Sequence, residues 1–439
     1  MPKKKTALTI EERLQQALVP AEEQPYEVPE NWVWVRLLST FTNKTDSKKK
    51  IQQKSYLNTG DYAVVDQGQN LIGGYTDDAS LQYDGELPVV VFGDHTRCVK
   101  YIDFKFVQGA DGVKILLPVK SYDSKFFYYA IMNLNIPNMG YRRHFPLFDK
   151  LSLPLPPLSE QQRIVERIEE LFAKLDEAKE RLQEVADSFA VRKAAILHKA
   201  FTGELTTQWR RENGVSDESW VEETIGDVCI VNPKKIDAKN LDDNLEVSFV
   251  PMAAVSDVFG EIVNHEVKNL QDVRTGFTIF FEGDVIFAKI TPCMENGKSA
   301  IVGPLVNDIG YGSTEFYVLR CKEELYNKYL YHMVRNTTFR AEAKAVMTGA
   351  VGQQRVPKTF LQEYQLLLPS LPEQHEIVCL IDDLLARERS AQQAAEQALA
   401  SIDLMKKSIL ARAFRGELGT NKASEASALE LLKQVLAEN

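Results

Sequence analysis

Three short loops gather the side chains with the most chemical capacity. Gly93-Asp94-His95-Thr96-Arg97, with Lys100 close behind, sets a carboxylate, an imidazole, a guanidinium and an amine near one another in the chain. Gly140-Tyr141-Arg142-Arg143-His144 and Gly352-Gln353-Gln354-Arg355 are the other two. Asp94 and His95 allow an acid-base reading, although neighbours in sequence need not face each other. A structural hydrogen-bonded turn is a second reading. Contact with nucleic acid is a third, because Arg and Gln make paired hydrogen bonds to guanine and adenine edges in the major groove.

A fourth stretch holds Lys289, Asn296 and Lys298. Asn296-Gly297-Lys298-Ser299 ends like a phosphate-binding loop, but Pro292 stands where that loop needs an earlier glycine, so no nucleotide site is expected. The chain has no Gly-rich dinucleotide fingerprint, no Asn/Asp-Pro-Pro-aromatic tetrapeptide for holding a target base, and no convincing catalytic constellation. Its five cysteines and six histidines are scattered, which predicts no metal site and reduced thiols in a cytoplasm. The candidate nucleic-acid contacts are therefore His95, Arg97, Lys100, Arg142, Arg143, Lys289, Asn296, Lys298, Gln353, Gln354 and Arg355.

A net charge of −10 speaks against a nucleic-acid binder, but the charge is uneven. Residues 31–157 carry 15 basic against 12 acidic side chains, and residues 211–370 carry 16 against 23. Local basic patches are thus compatible with DNA, and partner subunits would supply further phosphate neutralisation. No run of about 18 apolar residues is present, so no membrane span is predicted.

The elements that must position these loops are duplicated. Residues 158–205 and 371–418 align without a gap at an offset of 213, with Glu160-Gln161 on Glu373-Gln374 and Phe201, Gly203 and Leu205 on Phe414, Gly416 and Leu418. Each copy predicts one long helix, started by a capping box at Ser159/Gln162 or Ser370/Glu373 and ended by a left-handed glycine at Gly203 or Gly416. Apolar residues recur in heptads at Ile168, Leu175, Leu182, Phe189 and Ile196, and at Ile164, Leu171, Ala178 and Val185. The second copy keeps Ile377, Ile381, Leu384, Ile402, Met405 and Ile409, is rich in alanine and carries Glu388 on its seam. Large side chains opposite small ones predict that the two helices pair with each other as an antiparallel coiled coil. Thr9 and Glu12 form a further capping box for a short helix whose apolar spacing matches the end of the first long one.

The intervening sequence reads as α+β: short strands at 32–38, 87–92 and 113–117 with a helix at 126–134, then strands at 247–250, 278–281, 285–290 and 316–319 with a helix at 326–347. Trp32 and Trp220 open the two segments at an offset of 188, so the second frame is 25 residues longer than the first. Equal frames with unequal inserts suggest two readers of different things. The boundaries are an N-terminal helical segment (1–30), a first domain (31–157), a long helix (158–205), a connector (206–217), a second domain (218–370), a second long helix (371–418) and a tail (419–439).

On these features the chain resembles the specificity subunit of type I restriction-modification enzymes. The residues that carry the likeness are PLPPLSEQQRIV (154–165) and LLPSLPEQHEIV (367–378), AFTGEL (200–205) and AFRGEL (413–418), and EQPYEVPENWVWVRL (23–37). Within the domains they are VVDQGQNLIGGYT (64–76), FGDHTRCVKYIDF (92–104), GDVIFAKITPCMENGKSAIV (283–302) and GYGSTEFYVL (310–319). The resemblance implies a chain without catalytic residues, whose two target-recognition domains each read half of a bipartite double-stranded DNA site while the helices act as a ruler. It also implies two methyltransferase subunits carrying S-adenosylmethionine and separate restriction/translocase subunits using ATP and Mg, with no cofactor on this chain. A coiled-coil scaffold without DNA specificity and a stand-alone enzyme are the alternatives.

Overall fold

The computed structural model describes residues 9–234, 241–350 and 352–438. It divides into two compact units: the chain up to Leu182 together with the residues from Gln397 onward, and Gln183–Glu396. The boundaries fall inside two long helices, Leu158–Phe201 and Leu371–Ala413.

In the first unit, Val33–Arg36 pairs antiparallel with Ser152–Leu155, so the start and end of the domain are tied together. One antiparallel sheet has the order Phe41–Asn43, Val113–Pro118, Val89–Gly93 and Val99–Ile102. Its central strand, Val89 to Phe92, is buried throughout, as an uninterrupted β-branched and aromatic run should be. A second sheet has the order Lys50–Gln52, Val107–Ala110, Tyr62–Val65 and Gly74–Thr76. Helix Ser124–Asn133, capped by the Asp123 carboxylate, buries Phe126, Phe127, Ala130 and Ile131.

The second unit repeats the plan. Val221–Thr224 pairs with Gln365–Leu368, and the first sheet runs Cys229–Val231, Phe316–Cys321, Val285–Ala288 and Ser299–Ile301. The other sheet departs from its counterpart. Its order is Glu266–Asn269, Glu246–Val250, Gly310–Gly312 and Thr278–Phe280, and Thr278–Phe280 runs antiparallel to its neighbour where Tyr62–Val65 runs parallel. The expected single helix at 326–347 is two, Asn327–Val334 and Thr337–Ala345, because the Asn336 side chain turns to accept from the Thr338 amide and restarts the helix.

Each long helix enters its domain through the repeated Glu-Gln pair, all four residues of which are fully buried. The Gln161 amide oxygen accepts from Asp123 N (2.7 Å), and its nitrogen donates to the carbonyls of Ser121 (2.9 Å) and Pro156 (3.0 Å). Gln374 repeats the pattern with Tyr326 N (2.8 Å) and the carbonyls of Glu324 and Pro369 (2.9 Å each). Glu160 accepts from the Trp32 indole and the Asn421 amide, both at 2.8 Å. Glu373 accepts instead from Arg210 Nη1 and Thr206 Oγ1, both at 2.7 Å. The capping boxes expected at the long helices are corrected here: Ser159 already lies inside a helix that begins at Leu158, and the Glu373 carboxylate points into its domain. The capping box at Thr9 and Glu12 is present, and Gly203 and Gly416 take the left-handed conformation, with φ of 78° and 75°.

The helices run antiparallel in both units. In the first, Ile164 and Ile168 cluster with Leu410, Ala413 and Phe414, while farther along Asp176 pairs with Lys406. In the second, Arg192 pairs with Glu388 (2.8 Å), and Leu197 and Ala200 cluster with Ile377, Val378 and Ile381. Phe189 and Ile402 are buried on the seam, and Leu171, Leu175, Leu182, Ile196, Leu384 and Ile409 are half-buried. Met405, however, is 47% exposed and Val185 44%. Half-buried Lys406 and Ala186 take their places, a local shift of one residue, while Ile168, Leu175, Leu182, Phe189 and Ile196 keep the seven-residue spacing. The N-terminal helix Ile10–Ala17 packs with the terminal helix Ala428–Glu438, sharing a core through Ala17, Ala428 and Leu432.

Candidate nucleic-acid interface

The loop after Val89–Gly93 and the loop before the short 3-10 turn Phe145–Lys150 are bound into one structure. Asp94 is buried, and its Oδ1 accepts from the backbone amides of His144 (2.9 Å) and Phe145 (2.7 Å). His144 Nε2 accepts from Met139 N (3.2 Å), which leaves its Nδ1 to donate to the Asp94 carbonyl (2.8 Å). The Asp94 carboxylate therefore braces two loops and makes no pair with the neighbouring His95 ring. An acid-base role for Asp94 and His95 is thereby set aside.

This brace divides the first unit's candidate residues. Lys100 is only 5% exposed; its amine donates to the Asp66 carbonyl at 2.8 Å with the carboxylate 3.5 Å away, and burial lowers its pKa. Arg97, at a positive φ of 61°, donates to the Ile136 carbonyl (2.9 Å). Lys100 holds the loops from inside, and half-buried Arg97 ties its loop to the backbone at Ile136. His95, Arg142 and Arg143 stand outside with Tyr141, which is 85% exposed and stacks on the His95 imidazole at 4.7 Å and 13°. Among the described residues, neither Arg142 nor Arg143 has a hydrogen-bond or ion-pair partner. The result is an exposed aromatic step followed in the chain by two guanidiniums without a hydrogen-bond or ion-pair partner among the described residues. Sequence reading placed Tyr141 in the loop without assigning it a part, since only the fold brings its ring onto that of His95.

The second unit brings Lys289, Gln353, Gln354 and Arg355 together across a small ladder. Thr291 N donates to the Gln354 carbonyl (3.0 Å), Gln354 N to Thr291 Oγ1 (3.2 Å), and Val356 N to the Lys289 carbonyl (2.9 Å). Arg355, which corresponds to Arg142 at the repeat offset, is differently placed: it makes a bidentate pair with Glu315 at 2.8 and 2.9 Å. Those hydrogen bonds hold the Glu315 carboxyl below its usual pKa. The Lys289 amine lies 5.1 Å over the Tyr317 ring, and Gln353 is exposed. Asn296 and Lys298 do not join this cluster. Lys298 donates to the Met252 carbonyl (3.2 Å), and Asn296 is exposed on the wall of a separate cavity.

Among the described residues no helix is long and apolar enough to cross a membrane. The sequence profile of the type I restriction modification DNA specificity domain matches residues 29–187 and again 217–398. The chain is similar to the specificity subunit of type I restriction enzyme EcoEI of Escherichia coli, at 32% identity over 263 residues, 50% of this chain and 44% of that protein. It is also similar to the StySPI specificity subunit of Salmonella potsdam, at 26% over 305 residues, 66% of this chain and 64% of that protein. The chain thus spans less than half the length of the first of these relatives. Its fold is similar to that of the HsdS subunit from Thermoanaerobacter tengcongensis, with a TM-score of 0.59 at 16% identity over 90% of this chain and 100% of that one.

Proposed function

The chain belongs to the type I restriction-modification DNA specificity family, and on that premise we propose that it is the sequence-recognition subunit of a type I restriction-modification complex. The observation that carries this reading is one frame, with its buried Glu-Gln pair, recurring around two domains that differ in their second sheet and in their exposed loops. Each domain reads one half of a bipartite duplex site, and the long helices set the spacing. The chain does no chemistry itself. Methyltransferase subunits bring S-adenosylmethionine and turn the target adenine out of the duplex, and restriction/translocase subunits use ATP and Mg, all in the cytoplasm. A scaffold without DNA specificity gives no reason for unequal domains in equal frames.

The test is co-expression with the cognate methylating subunit followed by genome-wide mapping of methyladenine. Replacing residues 31–157 with the first domain of another family member should change one half of the methylated sequence and leave the other intact. A change in both halves would refute independent reading.

At the level of single residues, Arg142→Ala and Arg143→Ala should each weaken binding to the cognate duplex by roughly 1 to 3 kcal/mol where the side chain contacts a base. Lys100→Ala should lower the stability of the first unit instead, because it removes the amine from the Asp66 carbonyl and carboxylate and leaves the latter only the Gly68 amide. Arg355→Ala and Lys289→Ala make the same test in the second unit. Unchanged affinity and sequence preference in the Arg142, Arg143, Arg355 and Lys289 variants would return these loops to a purely structural role.

A further inference from the structure

The second unit contains a cleft that base reading does not use. Three adjoining cavities of about 440, 300 and 280 Å3 lie between its portions of the long helices and the loop around Phe259. Four cations line it: Lys193 from one helix, Arg389 from the other, and Arg335 and Arg340 from the domain.

Two of these cations are already partly engaged. Arg335 donates to the carbonyls of Gly297 (2.8 Å) and Asp257 (3.0 Å), and Arg340 Nη1 to the carbonyl of Glu295 (2.6 Å). Arg340 Nε is buried without a partner. Lys193 and Arg389 have no hydrogen-bond or ion-pair partner among the described residues, and the Arg389 guanidinium lies 5.5 Å over the Phe259 ring. Of the carboxylates on the lining, Glu388 is bound to Arg192 (2.8 Å) and Asp382 to His332 (3.0 Å), Asp187 and Glu396 line only the first cavity and accept from Gln183 (2.9 Å) and Gln392 (3.0 Å), and Asp257 lines only the third. Dehydration in the cleft, and after it the fields of Arg335, Arg340 and Arg389, push the Lys193 amine below its usual pKa. An anion entering here would relieve that repulsion.

Arg389 lines the first two cavities, Arg340 the third and Lys193 all three, so the donors follow the length of the cleft. Val258 and Phe259 give it an apolar wall beside the charges, and Asn296 adds an amide at one end. Spaced cations beside an apolar surface suit a chain of phosphates joined by sugars. We propose that this cleft holds the phosphodiester backbone of the bound duplex through Lys193, Arg389 and Arg340. The proposal rests on the DNA-recognition reading and adds to it a contact that fixes position and register without reading sequence.

Lys193→Gln with Arg389→Gln, assembled with the co-expressed methylating subunit, would be compared with the unaltered complex on cognate and scrambled duplexes by fluorescence anisotropy across a salt series. Each phosphate contact contributes a slope of roughly −0.9 to log K against log salt, so the slope should become shallower by about 2. Affinity should fall roughly ten-fold on both duplexes, with the methylated sequence unchanged. Should the double variant unfold, Arg389→Gln alone, at an exposed helix position, should give half the slope change. Unchanged slope and affinity in a variant whose parent binds its site would overturn the cleft and leave the recognition reading standing. No salt-dependent duplex binding by the parent would overturn both. Calorimetry with inorganic phosphate separates the remaining source: binding lost in the variant while its duplex affinity holds would assign the cleft to a small anion and overturn the backbone contact.

Discussion

Replacing Gln374 with Leu is expected to destabilise the second unit by roughly 3 kcal/mol or more, because each buried polar group left unpaired costs about 1 to 3 kcal/mol. Three groups lose their partner at once: the Tyr326 amide and the carbonyls of Glu324 and Pro369. A Glu at the same place should be no better, since a carboxylate accepts from the Tyr326 amide but has nothing to donate to two carbonyls. The Gln161→Leu variant should behave alike in the first unit, where the orphaned groups are Asp123 N and the carbonyls of Ser121 and Pro156. Thermal unfolding should show a loss of about 6 °C or more, and amide exchange should show the damage locally, at Tyr326 in one variant and Asp123 in the other. A shift within the ordinary range of a surface substitution, about 0.5 kcal/mol, would mean that the amide does not fasten the helix to its domain.

The repeated Glu-Gln pair was conspicuous in the sequence, but what it does was not. A duplication announces that residues matter together; it does not say that their side chains turn inward, because helix periodicity tracks apolar residues and a buried amide looks polar in any pattern. The long helices and their pairing were legible for the opposite reason, since apolar stripes of more than 40 residues leave little else for the chain to form. The heptad reading describes one register of the first helix throughout and slips in the other, where Val185 and Met405 turn outward and Ala186 and Lys406 take their places. Strands of three or four residues, such as Lys50–Gln52 and Gly310–Gly312, gave no periodic signal because they span less than two repeats of the pleat. At the candidate interface, cation identity was readable but direction was not. Lys100 and Arg142 look equally available in the chain, and what separates them is Asp66, which lies 34 residues from Lys100 and reaches it only through the fold.

Removal of Arg210 should damage the second unit on a comparable scale. Its side chain is 6% exposed and its Nη1 lies 2.7 Å from a Glu373 carboxylate that is not exposed at all. Breaking such a pair by removing one partner costs roughly 3 to 5 kcal/mol, because the remaining charge is buried without compensation. Here the remaining charge is poorly prepared for it: Glu373 Oε2 already has no hydrogen bond, and only Thr206 Oγ1 would still face the carboxylate. The first unit solves the same problem with neutral donors, the Trp32 indole and the Asn421 amide, whereas Arg210 stands 5.8 Å over the Trp220 ring and leaves that indole N–H buried and unpaired. Arg210→Met should therefore unfold the second unit at markedly lower denaturant while the first unit keeps its own amide protection. Glu373→Gln in the Arg210→Met background should recover much of the loss, since the second substitution removes the stranded charge and supplies N–H groups toward Thr206. A double variant no more stable than Arg210→Met would show that the guanidinium's other contacts, with the Gly203 carbonyl (2.8 Å), Asp217 (2.9 Å) and the Trp220 ring, and not compensation of Glu373, are what this position contributes.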